Sequence, residues 1–313
     1  VTQLGAEEYR SLPAPVQQAD AAVPDLWRRL GLPGLVDVHV HFLPPPVLAA
    51  VWAYFDRAEE HYGVAWPVTY RVGDDERVEL LRALGVRAFP ALAYPHRPGM
   101  ARWLNDWTLG FAARTPGCAP SATFFPEPDA AAYVTEALDA GARIFKAHLQ
   151  VGGYDPTDPL LEPVWGRLAE AGAPVVVHCG SGPIPGAHTG PGPFGEVLRR
   201  HPRLRAVIAH AGMPEYTEHA DLAGRYPNVH LDTTMVATPF TEAMMPLPAE
   251  LPRRLADLGD RVVLGSDFPN IPHPYATQLD SLVRLDLGDD WLRAVLWSNG
   301  ARLLGLQPDG TVA

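Results

Sequence analysis

Of the 25 basic residues in this 313-residue chain, only one is lysine, Lys146. Where arginine is the default cation, a lone lysine marks a position that arginine cannot fill. A buried lysine can lose its proton or be modified, whereas arginine stays charged. Cysteine is nearly as scarce. Cys118 and Cys179 have no CxxC partner, so neither a disulfide framework nor a zinc finger is implied, and both read as small packed side chains. No apolar run is long enough to span a membrane, and the N-terminus lacks the basic-then-apolar pattern of a signal segment, so a cytoplasmic protein is expected. Basic blocks are missing as well. With a formal net charge of −11, this argues against nucleic-acid and anionic-membrane partners. No GxGxxG follows the first strand-like segment, so dinucleotide binding has no support.

What remains is an ordinary globular balance, 47% hydrophobic and 19% charged, in a chain with ample core. Residues 1–33 read as an N-terminal extension with one short helix, about Pro24 to Leu30. From residue 34 to 313 strand-like and helix-like segments alternate. The strand candidates are 35–41, 86–93, 119–125, 143–149, 174–179, 205–210, 228–234 and 261–266. The helix candidates are 74–84, 100–114, 129–140, 159–171, 192–200, 217–226, 248–258 and 289–304. Short apolar strands separated by amphipathic helices imply a parallel sheet, and eight such units fit a closed (β/α)8 barrel of the TIM type. An open doubly wound sheet is the alternative. Residues 42–73 form an aromatic-rich insertion after the first strand, readable as a lid or as an excursion packed on the barrel wall.

Five strand candidates end in residues suited to one task. The first carries Asp37-Val-His39-Val-His41, whose three polar side chains share a face if the strand alternates regularly. The others carry Lys146 and His148, then His178, His210 and Asp267. Barrel active sites lie at the C-terminal ends of strands, and imidazole with carboxylate suits a borderline divalent ion such as zinc, with an open position left for water. A lone strand-end histidine is more often structural; the ordered set is hard to produce by packing alone.

That set, with Val177-His178-Cys-Gly180, Ala209-His210-Ala-Gly212, Gly265-Ser-Asp267-Phe-Pro269 and Asn299-Gly-Ala-Arg-Leu-Leu-Gly305, resembles the amidohydrolase superfamily. Within it, the chain is similar to the amidohydrolase-related group typified by aminocarboxymuconate semialdehyde decarboxylase, from about Leu35 to Leu306. The resemblance implies that His39, His41 and His178 are metal ligands. It makes Asp267 a ligand or the proton acceptor beside the metal's water, and His210 the group that polarises the substrate or orients that water. It leaves Lys146 open: a carboxylated bridge between two metals, as in some superfamily members, or a pocket residue beside a single metal, which is the reading preferred here. One divalent ion, zinc or else manganese, is expected, with a second left open.

Other readings are weaker. Asp37 is expected to buttress a metal-binding histidine. Arg97, after the second strand, can be read as a carboxylate clamp or as a surface arginine, and His148 as a pocket residue. Asp232, on one face with His230 and Thr234, fits either the site's surroundings or an ordinary core layer. His61, His201 and His219 are expected to face solvent. The expected activity is metal-dependent hydrolysis of a small, carboxylate-bearing ester, lactone, amide or activated C–C bond. The alternative is nonoxidative decarboxylation of an unsaturated or aromatic acid. A small-molecule partner is expected, and the sequence leaves a homodimer open.

Overall fold

The structure is a computed structural model and describes residues 12–306. Its strand segments are β1 (Leu35–Val36), β2 (Val86–Pro90), β3 (Cys118–Ala119), β4 (Ser121–Thr123), β5 (Ile144–His148), β6 (Val175–His178), β7 (Ala206–Ile208), β8 (Val229–Asp232) and β9 (Val262–Val263). All pair parallel with their sequence neighbours, in the orders β1-β2-β3 and β4 through β9. β3 and β4 are one strand broken at Pro120, whose ring carries no N–H for the ladder. The circle closes between the first and last strands. Val38 N–H donates to Leu264 O at 2.9 Å, Asp267 N–H to His39 O at 2.9 Å and His41 N–H to Phe268 O at 2.7 Å. The result is a (β/α)8 barrel.

One apolar cluster draws Val36, Val38, Ala88, Ala119, Ile144, Val176, Val207 and Val263 from strands all round the circle, which fills the barrel interior. The final helix, Asn299–Leu304, closes its lower end. Leu303 and Leu304 join the cluster, a Cβ on Gly300 would fall 2.8 Å from Val36 Cγ1, and Asn299 Nδ2 bonds Val262 O at 2.8 Å. This accounts for the Asn299-Gly-Ala motif. A larger apolar layer lies between the strands and the surrounding helices.

Several elements differ from expectation. The strands are shorter than their apolar runs, because at the C-terminal ends the backbone leaves the ladder to present side chains. Strand 1 bends at Val38: Val36 and Val38 both enter the interior cluster, as alternation requires, but Val40 joins the outer apolar layer, so the two-residue alternation stops after Val38. The N-terminal segment holds two helices, Ala14–Asp20 and Val23–Arg29, the first packed on helix Tyr275–Arg284 and the second on Asp74–Leu84. Helix Tyr275–Arg284 itself was not expected, since buried Gln278 and Ser281 interrupt its apolar face. The 289–304 segment contains one wide turn, Ala294–Ser298, between helical pieces. The 42–73 insertion forms helices Pro45–Phe55 and Ala58–Tyr62 and docks on the loop after Asp267. There Trp66 Nε1 donates to Asn270 O at 2.7 Å and Trp52 Nε1 to Asn270 Oδ1 at 3.1 Å. Among the described residues, no helix is long and apolar enough to cross a membrane.

Candidate metal centre

His39 and His41 leave strand 1 beyond the Val38 bend, and Asp267 leaves the last strand beside them. Donor atoms of these three side chains all lie within 4.8 Å of one another. Each histidine is anchored through Nδ1. His41 Nδ1 lies 2.8 Å from Leu92 O, so it carries the proton, and Nε2 faces Asp267 Oδ1 at 2.9 Å. His39 Nδ1 lies 2.8 Å from Asp232 Oδ2, with Thr234 Oγ1 at 3.1 Å, and its Nε2 is 3.6 Å from Asp267 Oδ1. Two imidazoles with Nδ1 fixed by acceptors and Nε2 turned toward one carboxylate have the donor chemistry that a divalent metal ion takes, outer hydrogen bonds included. The residues fit such an ion.

Asp232 holds two segments at once. Oδ2 takes His39, and Oδ1 accepts the backbone N–H groups of His210 at 2.8 Å and Thr234 at 3.0 Å. Burial opposes its ionisation, but the His39 imidazole and the N–H of His210 outweigh that and hold its carboxyl well below the usual range. Gly265 makes room for this clamp: a Cβ there would collide with Thr234 Oγ1 and come within 2.9 Å of His39 Cβ. The strand-face pattern of Asp232 and Thr234 was the available signal, though it did not separate this role from a core layer. Asp37 buttresses His39 as expected, but through the backbone rather than the ring. Its carboxylate accepts the backbone N–H groups of His39 and Ser266 and the hydroxyl of Tyr275, so it touches no imidazole.

Lys146 is fully enclosed, with Nζ 2.8 Å from His39 Nε2. Burial pushes its pKa down to about 8 against the opposing charges of Asp267 and Asp232. Burial, followed by the Lys146 charge, lowers His39 to about 3, so this ring is neutral and accepts from Lys146. For Asp267, burial again works against ionisation. The neighbouring imidazoles, His41 first and then His39 and His210, outweigh it and hold its carboxyl well below the carboxylate range.

His210 sits at the end of β7 with left-handed φ of 57°, followed by Ala211 at 48°; Asp267 has φ 70°. Such backbone is costly for non-glycine residues and collects at functional sites. The His210 ring lies 5.3 Å from that of His39 and 4.8 Å from that of His178, with a buried Nδ1 that has no hydrogen-bond partner. His178 stands outside the group of three. Its Nε2 is 3.1 Å from Gly182 O, and its ring stacks on His148 at 4.0 Å. Tyr94 lies against both His148 (4.8 Å) and His41 (5.5 Å).

The structure does not bring Arg97 into this group. It is exposed on the loop after β2, since the chain turns outward past Pro95. His219 is the other departure: it is fully buried, with Nδ1 2.9 Å from Glu215 O and Nε2 3.6 Å from Cys179 Sγ. His61 and His201 are half-buried, the first stacked on Tyr54 and the second 3.1 Å from Glu162.

Residues 36–306 match the family model described as amidohydrolase. The chain belongs to the amidohydrolase family. It is therefore an enzyme of a metal-dependent class. No curated protein matches it. Among solved structures, it is similar to an uncharacterized TIM-barrel protein, Bb4693, from Bordetella bronchiseptica, at 22% identity and a TM-score of 0.69, covering 87% of this chain and 99% of that one. It is also similar to 5-carboxyvanillate decarboxylase from Novosphingobium aromaticivorans, complexed with manganese and 4-hydroxy-3-methoxy-5-nitrobenzoic acid. There the identity is 15%, the TM-score 0.58 and the coverage 88% and 97%. A third is the probable 2-pyrone-4,6-dicarboxylic acid hydrolase of Acinetobacter baumannii, with citric acid bound, at 12% identity, a TM-score of 0.58 and coverage of 87% and 100%. At these identities, the likeness establishes the shared barrel.

Proposed function

We propose that this amidohydrolase-family member is a metal-dependent hydrolase of a small, carboxylate-bearing ester, lactone or amide. The observation that carries the reading is the convergence of His39 Nε2 and His41 Nε2 on Asp267, with both Nδ1 atoms anchored. His39, His41 and Asp267 would hold the ion, zinc or manganese, and His178 is the remaining donor at the neighbouring strand ends. When bound, the ion would supply Lewis-acid polarisation and acidify a water molecule.

The chain's own residues account for the rest. Asp267, ionised at neutral pH, takes a proton from the attacking water and returns it to the leaving oxygen or nitrogen as the acyl bond breaks. His210, positioned by Asp232 through its backbone, directs its unpartnered Nδ1 at the substrate carbonyl. Lys146 is the one cation among these residues, and with Arg97 on the surface it falls to Lys146 to meet a substrate carboxylate. His148 and Tyr94 would line the pocket beside it. The second reading, nonoxidative decarboxylation, uses the same residues, and the likeness to a 5-carboxyvanillate decarboxylase favours keeping it.

The test is a substrate panel on protein loaded with zinc or manganese. Proton release from lactones, esters or amides, without evolution of carbon dioxide from aromatic acids, supports hydrolysis. Carbon dioxide from an aromatic or unsaturated acid, with the hydrolytic panel inert, would replace it by the second reading. Asp267→Asn is expected to lower turnover at least about a hundredfold. An unchanged rate would remove it as the proton carrier.

A further inference from the structure

Helix Tyr275–Arg284 begins after Pro274, whose side chain caps nothing. The cap comes instead from a helix 256 residues earlier in the chain: Asp20 Oδ1 accepts the N–H of Ala276 at 3.0 Å. Asp20 Oδ2 accepts the hydroxyl of Tyr70 at 2.5 Å, and Tyr70 Oη in turn accepts the N–H of Tyr275 at 2.6 Å. The other end of Tyr275 reaches the barrel, where its hydroxyl donates to Asp37 Oδ2 at 2.9 Å. Asp37 Oδ1 accepts the N–H of His39 at 3.1 Å and that of Ser266 at 3.2 Å. Asp20, Asp37, Tyr70 and Tyr275 are all buried.

One line of hydrogen bonds therefore runs from the N-terminal helix, through the insertion and the last-strand helix, to the backbone of two strand ends. One of those ends carries His39 and His41; the other carries Asp267 next to Ser266. The Asp37 carboxylate spans the gap between them. The separation of the donor atoms depends on this bridge, and metal affinity is sensitive to small errors in that separation.

We propose that Tyr275 is a positioning residue of the metal centre and that Asp20, acting through Tyr70, holds it in place. This rests on the reading of His39, His41 and Asp267 as the metal-holding group. Removing the Tyr275 hydroxyl leaves Asp37 with an unmet buried acceptor and lets both strand ends relax. The effect passes through backbone, so it appears in metal affinity without any contact to the ion.

The experiment is a zinc titration of the metal-stripped full chain against a competing chromophoric chelator, with the thermal midpoint of the stripped protein measured in parallel. Tyr275→Phe is expected to weaken zinc binding about tenfold, the scale of outer hydrogen-bond losses around metal ligands. Asp20→Asn is expected to weaken it less, and the double variant no more than Tyr275→Phe alone, because both act along one line. Val134→Ala, in the buried face of helix Ala130–Asp139, serves as a control that loses stability elsewhere and keeps its zinc affinity. Tyr275→Phe binding zinc like the wild type would overturn the proposal, as would a control of equal thermal loss that weakens binding equally. A wild type that takes up neither zinc nor manganese would overturn the metal reading itself, and this inference with it. That result is set apart because the unaltered protein fails.

Discussion

Asp232 and His39 form a fully buried pair, with Oδ2 2.8 Å from Nδ1, and this contact fixes which nitrogen of His39 is free. The carboxylate keeps the proton on Nδ1 and leaves the Nε2 lone pair facing Asp267 and Lys146. Its other oxygen holds the backbone of His210, so one side chain sets the direction of two rings at the barrel mouth.

Asp232→Asn should therefore damage metal binding more than folding. An amide keeps one acceptor oxygen but turns an N–H2 toward either His39 Nδ1–H or the His210 N–H. Metal affinity is expected to fall about ten- to a hundredfold, measured by chelator competition. Wild-type affinity would show that the His39 tautomer does not need this partner.

His178→Ala tests the fourth donor. If His178 completes the set with His39, His41 and Asp267, the purified variant holds well under one metal per chain by elemental analysis and loses activity with it. Full metal content with lost activity would make it a pocket residue instead, in keeping with its bond to Gly182 O.

Lys146→Met keeps the length of the side chain and removes the ammonium. With a single ion and Lys146 as the substrate's counter-charge, the variant keeps one metal per chain and shows a raised KM for carboxylate-bearing substrates. Loss of a second metal would instead identify Lys146 as a carboxylated bridge.

Asp20 gives stability a defined pH dependence. Burial pushes its carboxyl up from 3.8 to about 6, against hydrogen bonds from Tyr70 and the backbone of Ala276 and Tyr275. Between those values the folded chain keeps a proton that the unfolded chain has lost. Stability therefore falls as pH rises through this window, by about 3 kcal/mol from this group. Asp20→Asn removes that titration, so the drop in thermal midpoint from about pH 4 to about pH 6.5 should be smaller than in the wild type. An equal drop would place the titrating group elsewhere.

Local reading reached far at the strand ends. The apolar runs ending in His41, Lys146, His178, His210 and Asp267 were legible because a strand's interior is apolar and its exit is not. It failed where geometry departs from regular repeats. Alternation predicted that Asp37 faces with His39, but the bend at Val38 sends its carboxylate to Tyr275. Helix Tyr275–Arg284 was hidden because Gln278 is buried for its bonds to Met235 N and Thr233 O, so a polar residue sits on the inward face. For Arg97 the sequence left a carboxylate clamp and a surface arginine both open, and only the outward course of its loop decided for the surface.

The sequence by itself determined the parallel barrel and the order of its chemical residues, because periodicity and strand-end composition are local properties. Only the tertiary structure decided which side chains meet. Asp232 reaches His39 across 193 residues and Tyr70 reaches Tyr275 across 205, and contacts of that kind arise from ring closure, which no local pattern encodes.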